Sequence, residues 1–522
     1  MKSRQFGDFQ TPHNLVQSII QSLGPVGKFW NRVLEPTCGH GGFIKGIIES
    51  KGFLPKEIVG IEIQDDYLKQ AGNIIPPANT SIRIIKADIF RFSLKDIKWE
   101  TKGPLLVIGN PPWVTSSEIG AVNGSNLPDK KNIKGLRGID AITGKSNFDI
   151  AEFIWIKLIN ELLGQNATIA LLCKTSVARN ILRYVYKSGL PVSNPEIRII
   201  NAKKSFGAAV EACLFSLKVG AHEVDYNARI FDSVEAAIPK KTIGFVKGNL
   251  VSDLNAYNTV SFVEGESPLE WRQGIKHDAA NVMELLVKNR KWYNRFGERV
   301  EIEQKFIYPL LKSSDVRPGK DVHSSGRGVI VPQKKVGEDT RFLKQMAPKL
   351  WTYLQKYKAV FELRKSSIYK LKYPFSVFGV GTYSFSKYKV ITSGFFKSVN
   401  FIATGTIEKK PVFVDDTCYL LACESALQAA SIAAILNHPL SKKFINSIIF
   451  KDSKRPITKS VLSRIDINSL ADKIKLDDVW SGIASNLKEM ESVSYEELIK
   501  PVDLLTATGF DEFPAQKHLL YS

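Results

Sequence analysis

The stretch Glu35-Pro36-Thr37-Cys38-Gly39-His40-Gly41-Gly42-Phe43 follows the apolar pair Val33-Leu34 and runs into Ile44, Ile47 and Ile48. A glycine-rich turn between a strand and a helix is where an open α/β sheet holds a nucleotide-like ligand, because glycine lets backbone and ligand approach closely. A dinucleotide fingerprint GxGxxG would need glycine at position 44, where Ile44 stands, and this turn also carries an acid at its start. NAD is therefore disfavoured. The next apolar run, Ile58-Val59-Gly60-Ile61-Glu62-Ile63, brings Glu62 to a strand end, where a carboxylate suits the two hydroxyls of a ribose. The run after it, from Ile82, ends in Asp88, placed to accept from an adenine amino group. One such acid is more often a helix cap or a solvated strand end. Three at successive strand ends reverse that balance and imply a nucleoside whose sulfonium and amino-acid end lies over the glycine turn.

Working outward, short apolar runs alternate with amphipathic segments from Arg32 to about Leu217, the pattern of strands and helices interleaved in a mostly parallel sheet. Strands are expected at VLEPTCGHGGF, IVGIEI, IRIIKAD, LLVIGNPP, TIALLCK and ACLFSLKV. In FDIAEFIWIKLINELL, Ile150, Phe153, Ile154, Leu158 and Leu162 recur at helical spacing, so a helix should lie there on one sheet face. Beyond about residue 240 the alternation fades, and Gly-, Ser- and Lys-rich loops separate short aromatic runs. Two domains are expected, residues 1–240 and 241–522, the second with a helical C-terminal part; at 522 residues the chain is long for one core.

The formal charge of +20 calls for a polyanionic partner, because fixed Lys and Arg replace the counterions condensed on phosphates. The five cysteines are scattered, with no CxxC pair for zinc and no secreted-type framework, so a reducing cytoplasm and no metal are expected. The N-terminus has no apolar core of a signal peptide, and no apolar run reaches the roughly 18 residues of a membrane span.

After LLVIG comes Asn110-Pro111-Pro112-Trp113. An exocyclic adenine nitrogen is a poor nucleophile because its lone pair is delocalised into the ring. Two oxygens accepting its two hydrogens favour a pyramidal nitrogen, and the Asn110 side chain and Pro111 carbonyl can supply them. The prolines fix φ and keep those oxygens aimed. Trp113 offers a flat face for an extruded base. Taken alone, the tetrapeptide also reads as a rigid turn capped by a core tryptophan; the upstream acids and glycines tip the balance toward chemistry.

These residues together resemble the gamma-class DNA N6-adenine methyltransferases of type II restriction-modification systems, from about Phe9 to Leu217. The order of segments, cofactor loop before NPPW, assigns the class. The resemblance implies a Rossmann-like domain dependent on S-adenosylmethionine, followed by a mixed α+β target-recognition domain. It implies that Thr11, Glu35, Pro36, Cys38, Gly39, Gly41, Glu62, Ile63, Asp88 and Ile89 hold the cofactor: Thr11 at the methionine end, Glu62 on the ribose, Asp88 on the adenine amino group and Ile89 against its ring. Asn110, Pro111, Pro112 and Trp113 would be catalytic, and Phe206 in Ser205-Phe206-Gly207 would pack on the flipped base. Double-stranded DNA is the implied partner, with a separately encoded restriction endonuclease acting on the same site.

Between Trp113 and Asn147 lies a long Gly-, Asn- and Lys-rich loop whose Lys130, Lys131, Lys134 and Arg137 are candidates to grip phosphates, with solvated lysines as the equal alternative. In the second domain, basic residues interleave with aromatics from Arg364 through Lys389. Most of the aromatics read as core, whereas Arg364, Lys365, Lys370 and Lys372 are the better DNA contacts. Methylation of adenine in structured RNA or of a protein glutamine uses nearly the same chemistry, but a large basic second domain suits a reader of duplex DNA. A noncatalytic recognition subunit should have lost residues that this chain keeps. No nuclease constellation stands out.

Overall fold

In the computed structural model, the residues described are 10–50, 52–114, 149–220, 223–317, 322–370 and 372–491. The chain divides into two units, Met1–Asn255 and Ala256–Ser522.

In the first unit, ten strands form one sheet: β1 Arg32–Glu35, β2 Glu57–Glu62, β3 Ser81–Lys86, β4 Leu105–Gly109, β5 Ala167–Lys174, β6 Val192–Ile200, β7 Ala212–Val219, β8 Ala228–Phe231, β9 Lys241–Val246 and β10 Asn249–Val251. Their order across the sheet is β10-β9-β8-β6-β7-β5-β4-β1-β2-β3. Strands β1 to β5 pair in parallel, and β7 is inserted antiparallel between β5 and β6. β2 and β4 are buried at every position, as parallel strands covered on both faces must be. The order runs outward from β1 to β3 and then returns to place β4 on the other side of β1. That reversal falls between β1 and β4, and the carboxyl ends of strands at such a point are where open sheets bind ligands.

Helices α1 His13–Leu23, α2 Val26–Phe29, α3 Gly42–Glu49, α4 Asp65–Gly72, α5 Ile150–Leu162, α6 Thr175–Lys187 and α7 Ala202–Phe206 cover this sheet. α5 is buried on more than the one face its spacing predicted, because α6 packs against it as well as the sheet. The six expected strand segments are all present as strands. β6 lies outside the expected strands, and the reason is local: the pairing of β6 with β7 shifts register between Ser193 and Glu196, where Asn194 adopts φ 49°, so the apolar alternation is broken. The first unit also continues past the expected residue 240, since β9 and β10 form a hairpin that extends the same sheet to Val251.

The second unit has a four-stranded sheet (Arg272–Gln273, Cys418–Cys423, Tyr388–Ser393, Phe401–Thr404), a five-stranded sheet (Lys291–Tyr293, Glu284–Lys288, Arg327–Ile330, Ile307–Leu311, Phe413–Val414) and a short hairpin, Thr406–Ile407 with Lys410–Pro411. Helices Ala426–Asn437 and Leu476–Glu491 pack together toward its C-terminus. Of the aromatics in the basic stretch, Phe375 and Tyr388 are buried, Tyr369, Phe378, Tyr383 and Phe385 are half-buried and Tyr373 is exposed, so fewer are core than the sequence suggests. Trp271 is buried beside Phe401. Among the described residues, no helix is long and apolar enough to cross a membrane.

Lys389, inside the strand Tyr388–Ser393, is 0% exposed and donates from Nζ to the Ser386 carbonyl. Burial pulls its ammonium down to about 7 from an ordinary 10.5. Below about 7 both folded and unfolded chains carry the proton, and the burial penalty is complete. Between about 7 and 10.5 the unfolded state binds more protons, so stability rises with pH. Lys389→Met is expected to flatten that rise, measured as unfolding midpoint against pH for both proteins; parallel profiles would contradict it.

Candidate active site

Backbone hydrogen bonds hold the glycine turn at two points. Cys38 N donates to Ile61 O on β2 (2.9 Å), and Gly41 N to Cys38 O (2.7 Å). Gly39 (φ 51°) and Gly41 (φ 76°) both take the left-handed conformation, and Gly41 caps α3. A Cβ on Gly39 would lie 3.1 Å from the Gln10 amide nitrogen, so the segment before α1 covers the turn. Thr11, half-buried, follows Gln10 in that segment.

The three acids differ in how they are used. Glu35 is buried and turned under α3, where Oε2 accepts from Ile44 N (3.3 Å). Burial pushes its carboxyl well above the ordinary range. Glu35 thus braces the turn from below, beside Pro36. Glu62 accepts from Gly39 N at Oε2 (2.9 Å) and from Ile63 N and Gln64 N at Oε1 (2.9 and 2.8 Å). It ties the end of β2 to the turn, and Oε2 keeps a lone pair for a hydroxyl. Asp88 Oδ1 accepts from Phe90 N (2.9 Å), while Oδ2 lies 3.9 Å from the Arg91 guanidinium, beyond hydrogen-bond reach, so an amino group can be accepted there. Ile63, 39% exposed, and Ile89, buried, follow these acids. Cys38 departs from a ligand role for its side chain: the thiol points at β2, 3.0 Å from where a Cβ on Gly60 would lie, and burial raises its pKa. Glycine turn, free acceptors on two acids and an exposed apolar side chain beside them form a donor set that fits a nucleoside with a charged amino-acid end.

Asn110-Pro111-Pro112-Trp113 leaves β4 beside this turn. The two strands are in direct register, Leu34 opposite Val107, and a Cβ on Gly109 would touch Glu35 Cγ (3.5 Å) and Pro36 Cδ (3.6 Å). Trp113 is 5% exposed, its Nε1 donates to Leu172 O (3.4 Å), and its ring meets Phe206 edge-on with centroids 5.0 Å apart at 70°. Phe206 ends α7, whose start is capped by Asn201 accepting from Lys204 N (2.9 Å), and Gly207 at φ 65° stops the helix. Two aromatics from segments more than ninety residues apart, singled out for the same base, are therefore in contact.

Neighbours that the sequence did not mark include His40, whose ring lies 4.2 Å from that of Tyr67 on α4, and Phe90, packed edge-on to Phe153 on α5. Ile150 N donates to Val114 O (2.9 Å) and Lys174 pairs with Asp149 (2.7 Å), which pins both ends of the long loop near the end of β5. Lys130, Lys131, Lys134 and Arg137 fall outside the described residues. In the second unit, Lys365, Lys370 and Lys372 are exposed. Arg364 is committed internally, donating to Ser376 O (2.7 Å) and His277 O (3.3 Å) and lying 3.7 Å above the Tyr369 ring. It also donates to Phe361 O (3.0 Å), and the link to His277 is one that charge pattern alone does not reveal.

Residues 1–180 match the family described as N-6 DNA Methylase. The chain is 39% identical over 472 residues to the type II methyltransferase M.NspV of Nostoc sp. (strain ATCC 29411 / PCC 7524), covering 90% of this chain and 97% of that one. Its fold is similar, at 13% identity and a TM-score of 0.51, to that of the type IIL restriction-modification enzyme MmeI, whose structure was solved in complex with DNA; the likeness covers 95% of this chain and 72% of MmeI.

Proposed function

Because the chain belongs to the type II N6-adenine DNA methyltransferases, we propose that it modifies one adenine within a specific duplex sequence, flipped out of the helix to the carboxyl ends of β1 and β4. The observation that carries this reading is the emergence of the glycine turn and of Asn110-Pro111-Pro112-Trp113 from neighbouring parallel strands at the point where strand order reverses. S-adenosylmethionine, its methyl donor, supplies when bound a methyl carbon on a positively charged sulfur that a nitrogen lone pair can attack in line.

This chain's residues supply the rest. Glu62 accepts from the cofactor ribose through Oε2, Asp88 accepts from its adenine amino group through Oδ2, and Ile63 and Ile89 border the ring. Gly39 and Gly41 leave room for the amino-acid end, with Thr11 and Gln10 closing over it. The Asn110 side-chain oxygen and the Pro111 carbonyl accept the two hydrogens of the target amino group, localising its lone pair. Unstacking the adenine costs a few kcal/mol, which stacking on Trp113 and packing on Phe206 offset. Trp113 is packed in the core on its present faces, so the base takes a place that opens as it enters.

Lys365, Lys370 and Lys372 hold DNA phosphates, and a separately encoded endonuclease cuts the same site when it is unmethylated, both proteins acting in the cytoplasm. The test is transfer of radiolabelled methyl from S-adenosylmethionine to duplex DNA, structured RNA and glutamine-containing protein in parallel, with cleavage followed in the same tubes. Label is expected in duplex DNA alone; label in RNA or protein would overturn the substrate assignment, and cleavage by the chain itself would remove the separate nuclease. For the lysines, neutralising all three should weaken binding to every duplex alike and shrink the slope of log affinity against log salt by about 0.9 for each lost phosphate contact. An unchanged slope would move the phosphate grip elsewhere.

A further inference from the structure

In the second unit, Glu284–Lys288 and Lys291–Tyr293 form an antiparallel hairpin in which Lys288 is the direct partner of Lys291. Two residues connect them, Asn289 at φ 49° and Arg290 at φ 59°. Consecutive left-handed residues make the tight turn that matches strand twist, and the residue best suited to its second position is glycine. An arginine there holds a backbone conformation that side chains disfavour. Like charges facing each other across a strand pair add repulsion. All four residues of the tip are exposed, and three are cations.

The nearby acids are engaged elsewhere. Glu284 accepts from Arg295 and from Lys312 (2.7 Å), Glu298 pairs with Lys356, and Glu301 pairs with Arg299. The base of the hairpin is anchored: Leu285 is buried, Glu284 to Leu286 pair with Arg327 to Val329, and Trp292 Nε1 donates to Gln304 Oε1 (3.3 Å). Above that base, Leu286 and Val287 are 41% and 42% exposed. The result is an exposed hairpin tip carrying three cations, with a left-handed arginine and two lysines opposed across the strand pair.

We propose that Lys288, Arg290 and Lys291 grip the phosphate backbone of duplex DNA, a contact distinct from the Lys365–Lys372 stretch and resting on the reading of the chain as a DNA methyltransferase. A polyanion relieves the Lys288–Lys291 repulsion and gives the arginine a function that glycine could not have. The contact carries no sequence information, since the tip acts on phosphates.

The test uses the full chain and two fluorescein-labelled duplexes, one containing the methylated site and one scrambled, titrated across a range of salt, with unfolding midpoints measured alongside. Arg290→Gly is expected to leave the midpoint unchanged or raised, because glycine suits the turn, while the salt slope shrinks by about 0.9. Lys288→Gln with Lys291→Gln should shrink it by about 1.8. Affinity for both duplexes should fall by the same factor. Unchanged slopes with midpoints retained would overturn the proposal, and so would a lowered midpoint in Arg290→Gly, which would make the side chain part of the fold. Loss confined to the cognate duplex would replace phosphate gripping by base contact and overturn it too. Wild-type protein that bound neither duplex would end the parent reading, whereas wild-type binding matched by every variant would end this one alone.

Discussion

Asn110→Ala methylates its duplex about 10²-fold more slowly than the wild type, or slower still, while binding S-adenosylmethionine and DNA with near-native affinity. The effect falls on rate because the lost oxygen acts on charge that develops only as the amino group becomes nucleophilic. The ground state keeps its contacts: the glycine turn, Glu62 and Asp88 are held by backbone bonds that do not pass through Asn110. Equilibrium binding and single-turnover methylation separate the two quantities. Turnover near the wild-type rate would remove Asn110 from the chemistry, and a parallel collapse of cofactor affinity would make it a structural residue of the site.

Trp113→Ala should reduce turnover by about 10- to 100-fold, from a stacking contribution on the order of 1–3 kcal/mol per base. It also empties a packed site, because Trp113 belongs to the core cluster that includes Leu172, Ile200 and Ala202. Loss of a large buried aromatic costs about 3–5 kcal/mol of stability, so the alanine variant alone would confuse folding with function. Trp113→Tyr keeps a stacking face and should retain most activity. Phe206→Ala removes the edge-on partner, which is only partly buried, and should lower turnover at less cost in stability. A fluorescent purine at the target position gives an independent reading: it should brighten when wild-type enzyme binds and respond less with Trp113→Ala. Initial duplex binding should be largely kept, since phosphate contacts supply most of it. A probe that stays stacked while methylation proceeds would remove both base flipping and the role given to Trp113.

Much of the catalytic unit was legible in the sequence because its signals are local. β2 and β4 are continuous apolar runs, and the acids Glu35 and Glu62 stand at their strands' ends with Asp88 just beyond β3. The Trp113–Phe206 contact was approachable only by matching each residue to the same base, since spacing says nothing of segments joined through β5 and β7. Less could be read where burial and partner choice decide. Nothing local distinguishes Glu35, turned under α3, from Glu62, which keeps a free acceptor. The side chain of Cys38 faces the core although its position in the loop suggests the ligand. In the second unit, Arg364 and Lys365 are neighbours with opposite fates, the first tied to carbonyls, the second exposed. The basic tip at Lys288–Lys291 is a further case: its charges are visible in sequence, but the opposition of the two lysines and the left-handed Arg290 belong to the folded hairpin.

The most direct measurement of the central claim is nucleoside analysis of duplex DNA incubated with the pure enzyme and methyl-labelled S-adenosylmethionine, followed by sequencing to locate the label. The account predicts N6-methyladenine at a single adenine of one recurring sequence, and none with Asn110→Ala. Label recovered as methylcytosine, or N6-methyladenine scattered without a recurring sequence, would contradict it.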